Sequence, residues 1–280
     1  MEGMTCLVTG ATSGIGEITA QALAQAGADL FLVARNADKA KALVDRLKAQ
    51  TGNDRITALI GDLSRQADVR RVAAEFKAQR DRLDRLVNNA GGAFTERKVT
   101  DDGFEYTWAL NHLAYFLLTL ELQPLLAATP GARVVCTASD AHKGGKLVWD
   151  DLQYERRRYG TGTLAYCQSK LANVLFAREA ARRFAEDGIT VNSVHPGYVA
   201  SGFALNNGPV VKFGQWLGKP FARSPEKGAE TVIWATVDPG AATLNGEYLM
   251  DKKVRRPSAR GRDDEAAARL WELSLTQVGG

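Results

Sequence analysis

The chain has 280 residues, of which 45% are hydrophobic and 24% charged, and its formal net charge is +4. That length supports a sizeable core in one large domain or two small ones. The mildly basic balance suits an anionic small ligand, and without a concentrated basic patch it gives no case for nucleic acid as a partner. Because no run approaches the ~18 uncharged apolar residues of a transmembrane helix and a strand begins near Met4, we expect neither a membrane anchor nor a secretory leader.

Short apolar runs alternate with longer segments of helical periodicity along the whole chain. The predicted strands are Thr5–Thr9, Asp29–Ala34, Ile56–Ile60, Arg85–Asn89, Arg133–Ser139, Thr190–Val194 and Tyr248–Met250. The predicted helices are a first one that ends at Ala26, then Lys39–Gln50, Val69–Arg80, Phe104–Leu126, and one with Tyr166 and Lys170 that ends near Ala185. Such alternation indicates parallel crossovers with helices on both sheet faces. We predict one doubly wound, Rossmann-type α/β domain over residues 1–280, with about seven parallel strands.

A glycine-rich turn joins the first strand to the first helix, in Thr9-Gly10-Ala11-Thr12-Ser13-Gly14-Ile15-Gly16. Gly10 allows the tight turn, Gly14 lets backbone approach a pyrophosphate, and Gly16 allows close packing of helix on strand. The helix N-terminus then offers free amides and the positive end of its dipole to phosphates. This placement predicts a dinucleotide site, and the alternative is a purely structural turn.

The end of the second strand predicts which dinucleotide binds. Chains that bind NAD usually carry Asp or Glu there, to hydrogen-bond the ribose 2′-hydroxyl, whereas this chain has Ala34-Arg35-Asn36. An arginine can pair with a 2′-phosphate through two hydrogen bonds, and Ser13 could add a hydroxyl. NADP(H) is therefore the preferred cofactor, with NAD(H) possible and a solvated surface arginine as the alternative interpretation.

Tyr166 and Lys170 lie four residues apart, so a helix would place both side chains on one face. A free phenol has a pKa of about 10, and a nearby ammonium group lowers it. The pair is a candidate proton donor and acceptor tuned toward neutral pH, although this spacing also occurs by chance on surface helices.

These motifs, in this order, resemble the short-chain dehydrogenase/reductase family, in the branch with TGxxxGxG spacing, from Thr5 to about Leu249. The further matches are an adenine-contacting Asp62-Leu63, an NNAG motif at Asn88–Gly91, a catalytic tetrad of Asn111, Ser139, Tyr166 and Lys170, and a PG turn at Pro196-Gly197. Together the motifs and the resemblance assign the cofactor contacts to Gly10, Thr12, Ser13, Gly14, Ile15, Gly16, Arg35, Asn36, Asp62, Leu63, Asn89, Ala90, Gly91, Tyr166, Lys170, Pro196, Gly197, Val199 and Ser201.

The resemblance implies a role for each member of the tetrad. Ser139, at the end of the fifth strand, would hold a substrate oxygen, and Tyr166 would give or take its proton. Lys170 would lower the tyrosine pKa and bond the nicotinamide ribose, and Asn111 would position a water that links Lys170 to solvent. The alternatives are a strand-ending serine, a polar helix residue at position 111 and, for Asp62, a cap before Ser64. We assign His195 to packing or backbone bonding, because Tyr166 already fills the acid–base position.

A finer resemblance is to the retinol-dehydrogenase-like branch, which includes WW-domain-containing oxidoreductases. It rests on Ser139-Asp140-Ala141-His142, Asp150-Asp151-Leu152, Ser169–Asn173, Ser224–Ala229 and Leu270-Trp271. It implies NADP(H)-dependent exchange between a carbonyl and an alcohol on a lipophilic molecule. The broader family resemblance implies a homo-dimer or homo-tetramer formed through the helices of Asn111 and Tyr166. The competing functions are a non-catalytic NADP(H)-binding regulator and a C=C reductase on the same fold.

The remaining expectations concern substrate access, metals and compartment. Apolar residues within 203–224 suggest a mobile lid over the pocket, with a packed helix or a membrane-docking segment as alternatives. Residues 149–159 could border that pocket, and we interpret their arginines as a solvated face. His112 and His142 lack metal-ligand spacing, so we expect no metal. Buried reduced thiols at Cys6, Cys136 and Cys167 would suit a cytoplasmic protein, although Cys167 beside Tyr166 could also be reactive.

Overall fold

The computed structural model describes residues 1–197 and 223–279, and in them one sheet of eight strands forms the centre. The strands are β1 (Thr5–Thr9), β2 (Asp29–Ala34), β3 (Ile56–Ile60), β4 (Arg85–Asn88), β5 (Arg133–Thr137), β6 (Thr190–Val194), β7 (Tyr248–Met250) and β8 (Lys253–Arg255). Their spatial order is β3-β2-β1-β4-β5-β6-β7-β8, parallel up to β7. The predicted doubly wound α/β class is confirmed.

Helices connect these strands and cover both faces of the sheet. They are α1 (Gly14–Gln25), α2 (Ala37–Thr51), α3 (Gln66–Lys77), α4 (Tyr106–Trp108, Ala109–Leu113 and Ala114–Ala127), α5 (Thr163–Arg183), α6 (Pro225–Val237) and α7 (Asp264–Gln277). One apolar core lies under α1, α2 and α6, and a larger one lies under α3, α4, α5 and α7. The middle part of α4, Ala109–Leu113, is a π-helical turn, a rare distortion that is frequent at functional sites.

Strand β8 was not among the predicted strands, the last of which is Tyr248–Met250. Asp251 and Lys252 adopt positive φ angles of 54° and 56°, so the chain reverses directly after β7. β8 then pairs antiparallel with β7, with Met250 opposite Lys253. Its side chains are nonetheless exposed and strongly basic, and such residues protect an edge strand from further pairing.

Helix α7 covers the outward faces of α4 and α5. The Trp271 ring lies 4.9 Å from the Phe116 ring of α4, 6.0 Å from the Phe176 ring of α5 and 5.7 Å from the Phe184 ring just beyond α5. Association through these faces would require α7 to move aside. The predicted homo-oligomer stays a prediction, and the position of α7 restricts the surface that could form it.

The arginine-rich connection between β5 and α5 folds around one carboxylate. Asp151 accepts hydrogen bonds from the amides of Glu155 and Arg156 and from the Arg157 side chain, at 2.7, 3.1 and 2.8 Å. Gln168 of α5 donates to the Leu152 carbonyl oxygen at 2.8 Å. Part of the basic cluster is therefore used within the loop, which is fastened to α5.

Two sequence-based expectations about the surface and the thiols can be compared with the fold. Across residues 1–197 and 223–279, no helix is long and apolar enough to cross a membrane. The predicted burial of Cys6, Cys136 and Cys167 is confirmed, and all three are free thiols. Burial raises the pKa of Cys167, which is the opposite of what an activated thiol requires.

Candidate active site

The glycine loop is packed too tightly for any other residue at its key positions. Gly10 has a φ of +66° and Gly14 a φ of +57°, in the left-handed region that favours glycine. A Cβ added at Gly16 would lie 2.3 Å from the Gly10 carbonyl oxygen and 2.5 Å from the Asn89 side-chain nitrogen. The assigned reasons for Gly10 and Gly16, a tight turn and close packing, therefore agree with the geometry.

The N-terminus of α1 is open for an anion. Ser13 is the N-cap residue in extended backbone, and its side chain makes no capping hydrogen bond within the described residues. The amides of the first turn, at Gly14, Ile15 and Gly16, are therefore available together with the positive end of the helix dipole. Thr12 is half-buried and Ser13 exposed on the same turn. These residues fit a pyrophosphate.

Arg35 lies just beyond β2, next to Asp62. Its Nη1 atom donates to the Tyr106 hydroxyl at 3.0 Å and is 3.9 Å from an Asp62 carboxylate oxygen, while 66% of its side chain is exposed. Neighbouring Asn36 uses its side-chain oxygen to cap α2, accepting from the Lys39 amide at 2.8 Å. The exposed Arg35 guanidinium can therefore bind a phosphate. The Asn36 side chain already serves as the cap of α2.

The surroundings of Asp62 and Leu63 are compatible with an adenine contact and also with the alternative, a local cap formed by Asp62. One Asp62 oxygen accepts from the amide and hydroxyl of Ser64, at 3.0 and 2.8 Å, which is the local capping role considered as the alternative. The other Asp62 oxygen faces Arg35. The Leu63 side chain is buried in the core, so only its backbone is positioned to meet a nucleotide.

The end of β4 connects the glycine loop to the catalytic helices. Asn89 donates to the Thr9 carbonyl oxygen at 3.1 Å, and the Thr9 hydroxyl accepts from the amides of Asn89 and Ala90 at 2.8 and 3.0 Å. A Cβ added at Gly91 would lie 2.9 Å from the Asn111 Oδ1 atom and 3.8 Å from the Lys170 amine. Gly91 therefore permits α4 and α5 to approach the loop.

Asn111, in the π-helical turn of α4, holds this loop through its side chain. Its oxygen accepts from the Gly92 amide and its nitrogen donates to the Gly92 carbonyl oxygen, both at 2.9 Å. The same nitrogen donates to the Ser169 hydroxyl at 2.9 Å. The side chain thus fixes the backbone beside Lys170, and the predicted water-positioning role of Asn111 stays a prediction.

Ser139, Tyr166 and Lys170 meet beyond the carboxyl end of β5. The Ser139 side chain lies close enough to the Tyr166 hydroxyl to lower its pKa, and the Lys170 amine lies 5.7 Å from the centre of the Tyr166 ring. That amine donates to the Thr137 carbonyl oxygen at 2.9 Å. Ser139 itself lies outside the strand, since β5 ends at Thr137, two residues earlier than predicted.

Burial dominates the electrostatics of Tyr166 and Lys170. Burial raises the pKa of Tyr166 above that of a free phenol, and the hydrogen bond with Ser139 opposes this only in part. Burial also lowers the pKa of Lys170 to about 7, so its ammonium is only partly populated near neutrality. Desolvation of both groups therefore dominates in the protein alone, and the lowering of the tyrosine pKa by Lys170 stays a prediction.

Comparisons with known proteins agree with this arrangement. A family model described as Enoyl-(Acyl carrier protein) reductase matches residues 10–233. Retinol dehydrogenase 11 of Homo sapiens is 37% identical over 279 residues, which cover 100% of this chain and 87% of that protein. The chain belongs to the short-chain dehydrogenase/reductase family. The retinol-dehydrogenase-like resemblance is thereby confirmed at the level of homology.

Two further members of the short-chain dehydrogenase/reductase family are informative. DnrU of Streptomyces sp. (strain C5), whose name proposes a daunorubicin C-13 ketoreductase, is 39% identical over 100% of this chain and 94% of its own length. The Pseudomonas aeruginosa RhlG/NADP active-site complex superposes with a TM-score of 0.69 at 30% identity, covering 89% of this chain and 94% of that one. The coarse activity, oxidoreduction, is shared by relatives whose names mention different substrates.

The family's PG turn lies at the last described residues of the first segment. Gly197 has a φ of +90°, and a Cβ there would lie 2.6 Å from the Arg223 side chain. His195 accepts a hydrogen bond from the Asp140 amide at 3.2 Å and stacks on the Tyr248 ring, which confirms the packing and backbone-bonding role. The assigned Val199 and Ser201, and the proposed lid up to residue 222, lie outside the described residues.

Four contacts at this family site were not predicted. Thr9 joins β1 to the NNAG loop, Thr137 receives the Lys170 amine, Ser169 supports Asn111, and Tyr106 contacts Arg35. Thr9 belongs to the glycine-rich turn and Ser169 to the Ser169–Asn173 motif, so the sequence could have indicated both as site residues. Thr137 acts through its backbone oxygen and Tyr106 comes from a distant segment, so neither carries a sequence signal.

Proposed function

We propose that the protein is an NADP(H)-dependent oxidoreductase that interconverts a carbonyl and an alcohol on a lipophilic small molecule, with Tyr166 as the acid–base group. The observation that carries this proposal is the meeting of Ser139, Tyr166 and Lys170 at the sheet edge where the glycine loop also opens. Ligands of doubly wound sheets bind at that edge. We also propose a single cytoplasmic domain.

The residues at the nucleotide side support NADP(H) as the cofactor. The uncapped α1 N-terminus suits the pyrophosphate, and the exposed Arg35 guanidinium suits a 2′-phosphate. The family neighbour RhlG is described in complex with NADP. When bound, this cofactor supplies or accepts the hydride.

The protein's own groups handle the substrate oxygen and its proton. Because burial raises the pKa of Tyr166, the phenol keeps its proton near neutrality and is ready to give it to a carbonyl oxygen. The Ser139 hydroxyl, close to that of Tyr166, can hold that oxygen in place. Lys170, whose pKa burial lowers to about 7, can exchange a proton near neutral pH beside the phenol. The protonated phenol is the form that carbonyl reduction requires.

A C=C reductase is the second candidate, and one observation favours it. The matching family model is described by an enoyl reduction. The names of the relatives favour carbonyl and alcohol chemistry instead, on retinol in one case and on a ketone in the other. The neighbouring hydroxyls of Ser139 and Tyr166 suit a carbonyl oxygen, which needs a proton as its bond order falls.

The experiment is an NADPH-oxidation screen with product identification. The panel contains aromatic and aliphatic aldehydes, quinones, steroids, retinal and an α,β-unsaturated ketone, which reports C=O and C=C reduction separately. We expect alcohol products and a loss of turnover of at least about 10²-fold in Tyr166→Phe, with NADPH binding retained. Tyr159→Phe is the matched control, because that hydroxyl is bonded to Glu105 at 2.9 Å, away from Ser139.

Each alternative result has a definite meaning. A saturated ketone as the product would replace the proposal with C=C reduction. Tight NADPH binding without turnover across the panel would favour the non-catalytic regulator. Equal turnover in Tyr166→Phe and wild type would remove Tyr166 from the chemistry.

A further inference from the structure

His142 is a fully buried histidine whose two ring nitrogens make two different hydrogen bonds. Its Nε2 atom accepts from the backbone amide of Ser258 at 3.0 Å. An accepting Nε2 requires the proton of a neutral ring to be on Nδ1. The Nδ1–H group therefore donates to the Ser139 carbonyl oxygen at 2.7 Å, so the contact with Ser258 fixes the tautomer that bonds Ser139.

The Ser139 carbonyl oxygen is held twice by the same residue. It accepts from the backbone amide of His142 at 3.0 Å as well as from the ring. The Ser139 hydroxyl oxygen accepts from the Ala141 amide at 3.2 Å, within the same short helical turn. The serine is no longer part of β5, so these bonds replace the sheet in setting the direction of its side chain.

The turn that follows Ser139 is also fastened from the C-terminal part of the chain. Arg260 donates to the Gly145 carbonyl oxygen at 3.0 Å, and the Ser258 hydroxyl accepts from the Gly261 amide at 3.1 Å. On the sheet side, the Tyr248 hydroxyl donates to Asp140 at 2.8 Å, and the Tyr248 ring lies 4.8 Å from that of His142. His142 lies at the centre of this network.

We propose that His142 is a positioning residue that orients Ser139 through its Nδ1–H group, in the tautomer fixed by the Ser258 amide. A segment more than 100 residues away in sequence thereby sets the geometry of the substrate-binding serine. This inference deepens the proposed function and rests on it. A histidine that served only to fill the core would be needed for its volume and not for one particular nitrogen.

Three substitutions of His142 distinguish the hydrogen bond made by Nδ1 from the one made by Nε2. In His142→Asn, the amide nitrogen can occupy the position of Nδ1 and still donate to Ser139, while the bond from Ser258 is lost. In His142→Gln, the amide oxygen can occupy the position of Nε2 and accept from Ser258, while the bond to Ser139 is lost. His142→Leu keeps much of the volume and loses both bonds.

The measurement is kcat and KM for the best carbonyl of the panel, in wild-type and Ser139→Ala backgrounds, with NADPH Kd and Tm for every variant. We expect kcat within about 3-fold of wild type for His142→Asn, and about 10- to 100-fold lower for His142→Gln and His142→Leu, since small misplacements of a substrate-positioning group cost up to about 10². NADPH Kd should stay unchanged. In Ser139→Ala, the three substitutions should have no further effect on kcat, because the group they orient is gone.

The failure of this inference can be told apart from the failure of the proposed function. If kcat follows Tm across the three variants, or falls equally in both backgrounds, His142 is a core residue and the inference fails while the proposed function stands. If wild type turns over no carbonyl, the proposed function fails and this inference fails with it.

Discussion

The nucleotide side and the catalytic side of the sheet edge are built in different ways. At the nucleotide side, the binding groups are backbone amides and glycines from one short stretch, Gly10–Gly16, and the main side chain is exposed. At the catalytic side, Ser139 and Lys170 depend on side chains and carbonyls from β5, α5 and residues 256–262. The first half is local in sequence, and the second is assembled by long-range contacts.

The two halves of the site therefore differ in how much they cost the stability of the fold. An uncapped helix end and a solvated arginine expose polar groups to water, at little cost to folding. A buried lysine next to a partly buried tyrosine loses hydration, and both shifted pKa values record the desolvation. The catalytic half should therefore trade stability for activity, while the nucleotide half should not.

The largest expected effect comes from Lys170→Met, which tests that trade. Turnover should fall by at least about 10²-fold, while the free energy of unfolding at pH 7 rises by about 1–3 kcal/mol after the lost bond to Thr137 is subtracted. The lysine pKa is lowered to about 7 in the folded protein from 10.5, so between these values the unfolded chain binds more protons. The free energy of unfolding of the wild type should therefore rise with pH between about 7 and 10.5. The difference in this free energy between Lys170→Met and wild type should shrink over the same range.

Chemical denaturation at several pH values measures this gap. Lower stability of Lys170→Met at pH 7, or a gap that does not change with pH, would contradict the idea that the amine is held at a cost.

A smaller effect is expected from Gly16→Ala at the nucleotide side. The new Cβ would lie 2.3 Å from the Gly10 oxygen, so the loop must shift away from the phosphate position. We expect NADPH Kd to rise at least about tenfold, as measured by fluorescence titration, because close backbone approach is lost. Gly144→Ala is the matched control on the catalytic side, since its Cβ would meet only Cys167 Sγ at 3.5 Å. Similar NADPH affinities in both variants would show that the two halves are not separable in this way.

A change of similar size is expected from Arg35→Asp, in the choice of cofactor and not in the chemistry. The ratio of kcat/KM for NADPH to that for NADH should fall by about tenfold or more, because a carboxylate repels the 2′-phosphate and can bond a 2′-hydroxyl. Lys41→Asp makes the same charge change on α2, where Lys41 pairs with Asp45, and should leave the ratio unchanged. If Arg35→Asp leaves this ratio unchanged, Arg35 is a solvated surface residue that does not recognise the 2′-phosphate.

The parts that could be predicted are those whose signal is local. The strands β1 to β4 and β6 follow from apolar runs, and the glycine loop from its spacing between a strand and a helix. The prediction ended β5 at Ser139, because apolar character does not show where strand pairing stops and a helical turn begins. β8 was missed because its exposed, basic residues give no apolar pattern, and only its pairing with β7 makes it a strand.

By itself, the sequence determined the doubly wound class, the glycine loop and the shared helix face of Tyr166 and Lys170, since each follows from patterns that are local in the chain. The tertiary structure alone decided the protonation of that pair and the orientation of Ser139. Desolvation depends on what covers a group, and Lys170 is buried where its amine meets the Thr137 carbonyl oxygen at the end of β5. The bond from Ser258 to His142 likewise exists only because residues 116 positions apart meet beside the site.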